Sequence, residues 1–300
     1  MNKAVLILSI MMVFKANAAD WVDCGLDGNG NETNCQYKIE NNTLTIRGAT
    51  DEGNIGWWWS YTEHDYVAPW AGAQVKDVII EDSIKNLGSY GFVGVQSENP
   101  ISIPSSVETV TYASFQGVTT PEVVIPDSVT KIEGVAFYYS DIERLNVPSS
   151  VTSMDWAFRG AQFTDIIIPD SVQFISDSAF SDCQNLKSIT IGEDTVLGSG
   201  IFIGGQGDEH ITDVANLKIY CTGDTAKCDE HLAAALEAAG YPAVKSIPVT
   251  TKTVNGRTYV YDSIGRRVAY PGQYNIKRIY TLEEANRAAG HKNTVMIRYK

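Results

Sequence analysis

Six of the nine phenylalanines in this 300-residue chain recur at a nearly constant interval. Successive members lie 23, 22, 21, 22 and 22 residues apart. Self-similarity at such a period is typical of a solenoid, because a single repeat cannot bury its own apolar side and must stack on its neighbours. The spacing therefore predicts a solenoid and favours a recognition function, without identifying the partner. The six residues are Phe92, Phe115, Phe137, Phe158, Phe180 and Phe202.

A short recurring phrase precedes each of these phenylalanines. The first five follow, by 11 or 12 residues, an apolar residue that opens a five-residue phrase, and a looser sixth copy at 191–196 leads to Phe202. A period between 20 and 29 residues is typical of leucine-rich repeats. The sequence thus predicts about six copies of 21–23 residues. The five regular phrases span 80–84, 103–107, 125–129, 147–151 and 168–172.

Each phrase is preceded by a pattern that predicts a short strand. Residues 142–147 and 163–168 share the form apolar-x-x-apolar-x-apolar, with alternate residues directed inward. The proline that follows ends the strand because it has no N–H for the ladder, and the Asp or Ser after it favours a turn. A turn or irregular helical segment is then expected to return the phenylalanine to the core, so that the six rings form a ladder.

The first nineteen residues have the composition of a signal peptide. Lys3 precedes an apolar run over 4–14, and Ala16–Ala19 offers a cleavage site. A transmembrane helix needs about 20 apolar residues, so the run is too short, and no later stretch is long enough either. The sequence predicts an exported protein, secreted, periplasmic or associated with the bacterial cell surface.

The five cysteines agree with export. Four form two close pairs, which in an oxidising compartment predict short-loop disulfides. A zinc site made by the second pair with His210 and His231 is the alternative, but its spacing fits no standard zinc module. The unpaired Cys183 is expected to act as a small buried apolar residue. The predicted disulfides are Cys24–Cys35 and Cys221–Cys228.

Charge divides the chain into an acidic body and a basic tail. Residues 20–240 carry 33 acidic and 10 basic side chains, whereas residues 241–300 carry 3 acidic and 11 basic ones. An acidic body argues against nucleic acid as the ligand. The tail could dock on that body or meet an external polyanion, and docking within the chain is the preferred interpretation.

Changes in pattern set the expected domain boundaries. A hairpin is predicted at 36–47, a last strand at 217–220 followed by a helix at 229–239, and a tail with a hairpin at 258–270, a helix at 281–289 and a strand at 294–299. The predicted organisation is a signal peptide (1–19), an N-terminal β cap (20–74), leucine-rich repeats (75–215), a C-terminal cap of strand plus helix (216–243) and a basic α+β tail module (244–300).

Two segments carry a family resemblance. Residues 125–137 (IPDSVTKIEGVAF) and 168–183 (IPDSVQFISDSAFSDC) resemble the BspA-like leucine-rich-repeat family of bacterial surface proteins, with Cys183 at the family's frequent cysteine position. Residues 22–72 resemble the cap often found ahead of such repeats. The resemblance covers about residues 21–215. It implies an α/β, β-rich fold: a right-handed solenoid with a parallel sheet on one side. Family members are mostly described as adhesins or interaction proteins.

No catalytic constellation is recognisable in the sequence. The four histidines are scattered, and no nucleophile, metalloprotease or phosphate-loop motif occurs. Residues 27–31 partly resemble a calcium loop, but Glu32 and Lys38 stand where that loop needs Gly and Glu. A loop closed by a disulfide explains the segment better. We predict no enzyme activity, no catalytic residue, no metal and no cofactor.

Two surfaces are candidates for binding. One is the outward row of the repeat sheet, where solenoids commonly bind protein partners. The other is an aromatic loop, whose rings could anchor a protein or stack on sugar rings, or could instead plug the end of the core. The sheet row comprises Ile79, Ser102, Val124, Asn146, Ile167 and Thr190, and the aromatic loop comprises Trp57, Trp58, Trp59 and Tyr61.

The sequence therefore supports two hypotheses. The first is an exported, non-enzymatic, adhesin-like protein that binds a host or cell-envelope protein through the sheet row. The alternative is a carbohydrate-binding or carbohydrate-processing surface protein that uses the aromatic loop.

Overall fold

The computed structural model describes residues 20–60, 65–66, 68–198, 200–202, 216–237, 245–254, 257–262 and 265–269. The predicted signal peptide, Tyr61, and the predicted helix and strand of the tail lie outside the described residues. Within them the fold is β-rich, with 24 strands and one helix. No described helix is long and apolar enough to cross a membrane.

The N-terminal segment is built of short antiparallel strands. The predicted hairpin is confirmed, since its two long strands pair in register across a turn at Asn41 and Asn42, both with positive φ. This turn geometry suits asparagine, which tolerates the left-handed region. The strands are β1 (Val22–Asp23), β2 (Cys35–Glu40), β3 (Thr43–Gly48), β4 (Gly53–Asn54), β5 (Trp59–Ser60) and β6 (Asp65–Tyr66).

The repeats add fourteen strands, in which one turn of the chain stacks on the next. They are β7 (Gln74–Val75), β8 (Asp77–Ile80), β9 (Ile84–Asn86), β10 (Gln96–Ser97), β11 (Ile101–Ser102), β12 (Thr109–Val110), β13 (Thr119–Val124), β14 (Lys131–Ile132), β15 (Asp141–Asn146), β16 (Ser153–Met154), β17 (Asp165–Ile167), β18 (Phe174–Ile175), β19 (Ser188–Gly192) and β20 (Val196–Leu197).

These strands lie on two sides of the core. On the side that we call the main sheet, they form three separately hydrogen-bonded groups that follow one another along the solenoid. In the main sheet β8 pairs with β3, β11 and β15 flank β13, and β17 pairs with β19. The second sheet has the order β12-β14-β16-β18-β20. The turn expected to return each phenylalanine to the core is present, for example at 112–117 around Phe115, but the short strands of the second sheet that precede these turns were not predicted. Two-residue strands are too short to show an alternating pattern.

The phenylalanine ladder fills the space between the two sheets. All six rings are buried, and neighbouring ring centroids lie 5.2, 5.6, 5.7, 5.3 and 6.4 Å apart. Burying each side chain contributes about 1.5–3 kcal/mol. The prediction of an inward ladder that holds successive repeats in register is confirmed.

The serine of the repeated phrase has a role beyond turn formation. Its hydroxyl donates a hydrogen bond to a backbone carbonyl of the preceding repeat, at 2.7 Å from Ser128 to Val107, 2.6 Å from Ser150 to Val129 and 2.6 Å from Ser171 to Val151. Each bond ties two adjacent repeats, so the serines form a second ladder alongside the rings.

The C-terminal part closes the main sheet and then folds back over it. Strand β21 (Lys218–Thr222) pairs with β19 and leads into helix α1 (Thr225–Glu237). Next come β22 (Ile247–Val254), β23 (Arg257–Asp262) and β24 (Arg267–Ala269). Strand β22 pairs in parallel with β21 and antiparallel with β23. Docking of the tail on the chain's own body is confirmed for these residues. We call β22 and β23 the C-terminal hairpin.

Candidate functional site

Three residues of the predicted sheet row lie exposed on the N-terminal part of the main sheet. Ile79 and Val124 are 48% and 41% exposed, and Ser102 between them is exposed as well. They lie on β8, β11 and β13, and Ser102 is in register with Val124. Strand spacing of about 4.8 Å brings their side chains into one line. We call Ile79, Ser102 and Val124 the exposed row.

The rest of the predicted row is covered by the C-terminal hairpin. Asn146 is half-buried, and its Oδ1 accepts a hydrogen bond from the Thr258 N–H at 3.3 Å. Ile167 and Thr190 are only 4% and 0% exposed. The expectation that Ile167 and Thr190 face solvent is therefore wrong. The reason is a segment that lies outside the repeats in the sequence.

An apolar cluster seals the hairpin onto the sheet. Ile167 and Tyr220 from the sheet pack against Val249 and Val260 from the hairpin, with Val268 at the edge. All of the first four are buried. Apolar contact of this kind gives the hairpin an anchor independent of its backbone pairing with β21.

The aromatic loop divides into an inward and a partly exposed part. Trp58 is buried and packs against the buried Trp70 with ring centroids 5.7 Å apart. Trp57 and Trp59 are half-buried, and the Trp57 Nε1 donates to the carbonyl of Trp59 at 3.0 Å. Trp58 thus fills the end of the core, as one interpretation of the loop expects, whereas Trp57 reaches the surface.

Trp57 belongs to a cluster of rings that the sequence analysis missed. Its ring is nearly parallel to that of Tyr112, with an angle of 4° and centroids 6.3 Å apart. Tyr90 stands edge-on to both, at 5.5 Å from Trp57 and 5.6 Å from Tyr112. The sequence does contain one signal for this cluster, since Tyr90 and Tyr112 each occur two or three residues before a ladder phenylalanine.

A polar groove of about 460 Å³ opens beside these rings. It lies where the segment 27–57 meets the first strands of the second sheet. We call it the aromatic groove. It is lined by Asp27, Asn54, Gly56, Trp57, Asn86, Ser89, Thr109, Thr111 and Glu133.

Asp27 fixes the position of Trp57 in this groove. Its carboxylate accepts hydrogen bonds from the N–H groups of Asn29 and Asn31 at 2.9 Å and from the Trp57 N–H at 3.2 Å. Burial acts to raise the pKa of Asp27, but the backbone hydrogen bonds outweigh it and hold the pKa below its ordinary value. The predicted structural role of the 27–31 loop agrees with this geometry.

Both predicted disulfides are present. Cys24–Cys35 closes the loop that contains Asp27, and Cys221–Cys228 ties β21 to α1. Cys183 is buried, as expected, and forms no disulfide with another described residue, and burial raises the pKa of its thiol to about 12. Within the described part of the chain, no group of three or more His, Cys, Asp or Glu side chains could hold a metal ion.

Among solved structures, the chain is similar to two bacterial leucine-rich-repeat proteins. A leucine-rich repeat protein from Eubacterium ventriosum is 19% identical, with a TM-score of 0.41 over 54% of this chain and 42% of that one. A leucine-rich cell surface protein from Faecalibacterium prausnitzii is 17% identical, with a TM-score of 0.27 over 67% and 78% of the two chains. The chain thus spans less than half of the Eubacterium protein.

A third similar structure is the pneumococcal vaccine antigen PcpA, 10% identical, with a TM-score of 0.21 over 79% of this chain and all of that one. No curated protein matches the chain. The family described as the BspA type leucine-rich repeat region matches residues 70–187 and 154–204, with six copies. The repeat region of this chain therefore belongs to the BspA-type leucine-rich-repeat family.

Proposed function

We propose that this chain is an exported, non-enzymatic binding protein that uses the exposed row to hold a protein partner in an adhesin-like role. The observation that carries the proposal is the alignment of two half-exposed aliphatic side chains, Ile79 on β8 and Val124 on β13, on the same side of the solenoid. A single exposed valine or isoleucine is ordinary. Two such side chains aligned on one surface, with the small Ser102 between them, offer a partner an extended apolar strip.

Export rests on two features of the sequence. Residues 1–19 have the pattern of a signal peptide, and the two disulfides fit an oxidising compartment. The proposal places the mature protein at or outside the bacterial surface.

The proposal includes two features of the scaffold. The solenoid is right-handed, the sense expected of parallel strands joined by crossovers. Residues 20–74 act as an N-terminal cap, supported by the pairing of β3 with β8 and by the burial of Leu44 and Ile46. Such a cap covers the apolar end that a terminal repeat would otherwise expose.

A capture experiment with surface variants tests the protein-binding role. The immobilised mature chain is presented to host-cell and cell-envelope protein fractions, and the captured proteins are compared with those of an Ile79→Asp/Val124→Asp variant. Charges in the strip should abolish specific capture, because an ionised carboxylate resists burial in an interface.

The matched control carries the same two changes on the second sheet. Phe174 and Val196 are exposed, apolar and directly paired, so Phe174→Asp/Val196→Asp introduces the same charge in place of two exposed apolar side chains, but elsewhere on the surface. Capture should persist in this control. Unchanged capture by a well-folded Ile79→Asp/Val124→Asp variant would exclude the exposed row as the binding site.

A further inference from the structure

The aromatic groove lies apart from the exposed row and has a different chemistry. The exposed row is on the main sheet, whereas the groove involves β4, β9 and β12 and the turns that follow them. Its volume of about 460 Å³ falls within the range of small-ligand sites, about 300–1,000 Å³. The groove therefore presents a second surface, independent of the proposed protein-binding function.

One wall of the groove is aromatic. Trp57 lines it, and beyond the lining residues the ring of Tyr112, which is 39% exposed, lies nearly parallel to Trp57 with centroids 6.3 Å apart. Tyr90 packs edge-on against both rings and holds them in place. The faces of such rings carry negative charge density. They attract the C–H groups on the flat side of a pyranose ring. The hydrogens of these groups are electropositive because the ring carbons are bonded to oxygen.

The other walls offer hydrogen-bonding groups in fixed orientations. Asn54 and Asn86 face each other in register on β4 and β9. Each side chain uses its Oδ1 to accept from the backbone N–H two residues later, at Gly56 (3.0 Å) and Gly88 (2.8 Å). These bonds fix both side chains, and each Nδ2 has no partner among the described residues. Two oriented amide donors thus stand side by side on the groove wall.

Hydroxyl groups complete the wall. Thr111 donates its Oγ1 hydrogen to the Gly88 carbonyl at 2.9 Å, which leaves the oxygen able to accept. Ser89 and Thr109 add two more hydroxyls along the same side. A ligand with many hydroxyls finds donors and acceptors here, whereas an apolar protein side chain would leave these groups unpaired.

The charge of the groove disfavours an anionic ligand. The two ionisable residues among those that line the groove are carboxylic acids, Asp27 and Glu133. Lys131 pairs with Glu133 at 3.0 Å, but it does not line the groove. A sulfated, phosphorylated or uronic-acid ligand would meet the Asp27 carboxylate, and no lysine or arginine lines the groove to attract it.

We infer that the aromatic groove binds a neutral oligosaccharide, with one pyranose ring against Trp57 and Tyr112 and its hydroxyls on Asn54, Asn86 and Thr109. Asp27 is a positioning residue, because it holds the backbone of Trp57 through a hydrogen bond. This site does not depend on the protein-binding proposal.

The test is direct binding of defined oligosaccharides to the full mature chain. Neutral tetrasaccharides of hexose and of N-acetylhexosamine, together with a sulfated tetrasaccharide, are titrated while intrinsic tryptophan fluorescence and heat are recorded. At least one neutral probe should bind and alter the fluorescence, and the sulfated probe should not. Tyr112→Ala should weaken binding by about tenfold or more, since it removes one stacking face.

Two further variants separate loss of the site from loss of the fold. Tyr112→Phe keeps the ring and should keep the affinity. Trp156→Ala removes another exposed aromatic, which does not line the groove, and should also leave binding unchanged. Ile79→Asp/Val124→Asp should bind the neutral probe normally, so failure of one proposal is distinguishable from failure of the other.

Three results of the oligosaccharide titrations would overturn the inference. They are no binding of any neutral probe at millimolar concentration, preference for the sulfated probe, or full binding by a folded Tyr112→Ala variant. Capture of a protein that is lost in Tyr112→Ala, with no oligosaccharide bound, would also overturn it and assign the groove to a protein partner.

Discussion

Val124 and Ile167 occupy equivalent places in the repeat, two strands apart on the outer side of the main sheet. Val124 is 41% exposed, whereas Ile167 is 4% exposed because Val249 and Val260 of the C-terminal hairpin pack over this side of the sheet. The repeat fixes which way each side chain points. A segment some eighty residues later along the chain decides whether that side chain meets solvent, so the same side of the repeats is open at Val124 and sealed at Ile167.

The largest effect should arise from the interior that the two regions share. Phe115 lies beneath the uncovered part and Phe180 beneath the covered part, and both are fully buried. Phe115→Ala and Phe180→Ala should each lower the free energy of unfolding by about 3–5 kcal/mol, through lost burial and an unfilled cavity. Urea denaturation of the purified chain measures this.

The exposed Phe174 provides the control for these variants. Phe174→Ala should change the free energy of unfolding by about 0.5 kcal/mol or less, as surface substitutions usually do. A Phe180→Ala loss much smaller than that of Phe115→Ala would show that the ladder stabilises the two regions unequally.

The next largest effect should come from a substitution that separates the C-terminal hairpin from the sheet and so exposes the covered region. Val260 is fully buried between the hairpin and the sheet. The Val260→Asp variant would place a carboxylate in that apolar cluster. Burying a charge without a hydrogen-bond or ion-pair partner costs free energy, so the hairpin should separate from the sheet. Hydrogen exchange should then lose protection over 249–262, while β13 and β15 stay protected.

Val124→Asp is the matched change on the uncovered side and should leave the exchange pattern as it is. Retained protection of 249–262 in Val260→Asp would mean that pairing of β22 with β21 alone holds the hairpin, and that the apolar seal contributes little.

The contrast between the two regions also shows how far sequence reasoning reaches. Periodicity located the ladder phenylalanines, and local spacing paired the cysteines, because both signals recur or act within a short stretch. Burial of Ile167 depends on contacts with the hairpin, and nothing near Ile167 in the sequence encodes them. A long-range contact leaves no local pattern.

The same reason explains what was missed at the groove. Trp57 was singled out within a run of three tryptophans, but the run does not show that Trp58 turns inward. Tyr90 and Tyr112 come from two successive repeats, and Asn54 and Asn86 from two paired strands 32 residues apart. Only stacking of the repeats brings these residues to one surface.

A smaller effect should appear at the strand between the two regions. Ser150 lies just after strand β15, and its hydroxyl donates a hydrogen bond to the Val129 carbonyl at 2.6 Å. Its neighbour Ser149 is exposed and serves as the control. Ser150→Ala should cost about 0.5–1.5 kcal/mol, since it leaves one partly buried carbonyl without that bond. Ser149→Ala should be close to neutral. Equal urea midpoints for the two variants would contradict a stabilising serine ladder.

The smallest effect concerns pH and the attachment of the hairpin. Asp229 on α1 accepts hydrogen bonds from the Ser246 N–H at 2.7 Å and the Ser246 hydroxyl at 2.8 Å, and Lys245 Nζ lies 3.0 Å away. Burial acts to raise the pKa of Asp229, but these bonds from Ser246 and Lys245 outweigh it and lower the pKa. They tie α1 to the residues that enter β22.

Because the folded-state pKa of Asp229 is depressed, its contribution is present above the unfolded-state pKa of about 3.9 and is lost as pH falls through the folded-state value. Asp229→Asn should therefore be less stable than the parent chain at about pH 6, and the difference should shrink towards about pH 2.5. Urea midpoints of the two chains across this range provide the measurement. A difference that stays constant with pH would show that the charge of Asp229 does not hold the hairpin, and would leave the apolar seal at Val260 as the reason why one end of the sheet is covered.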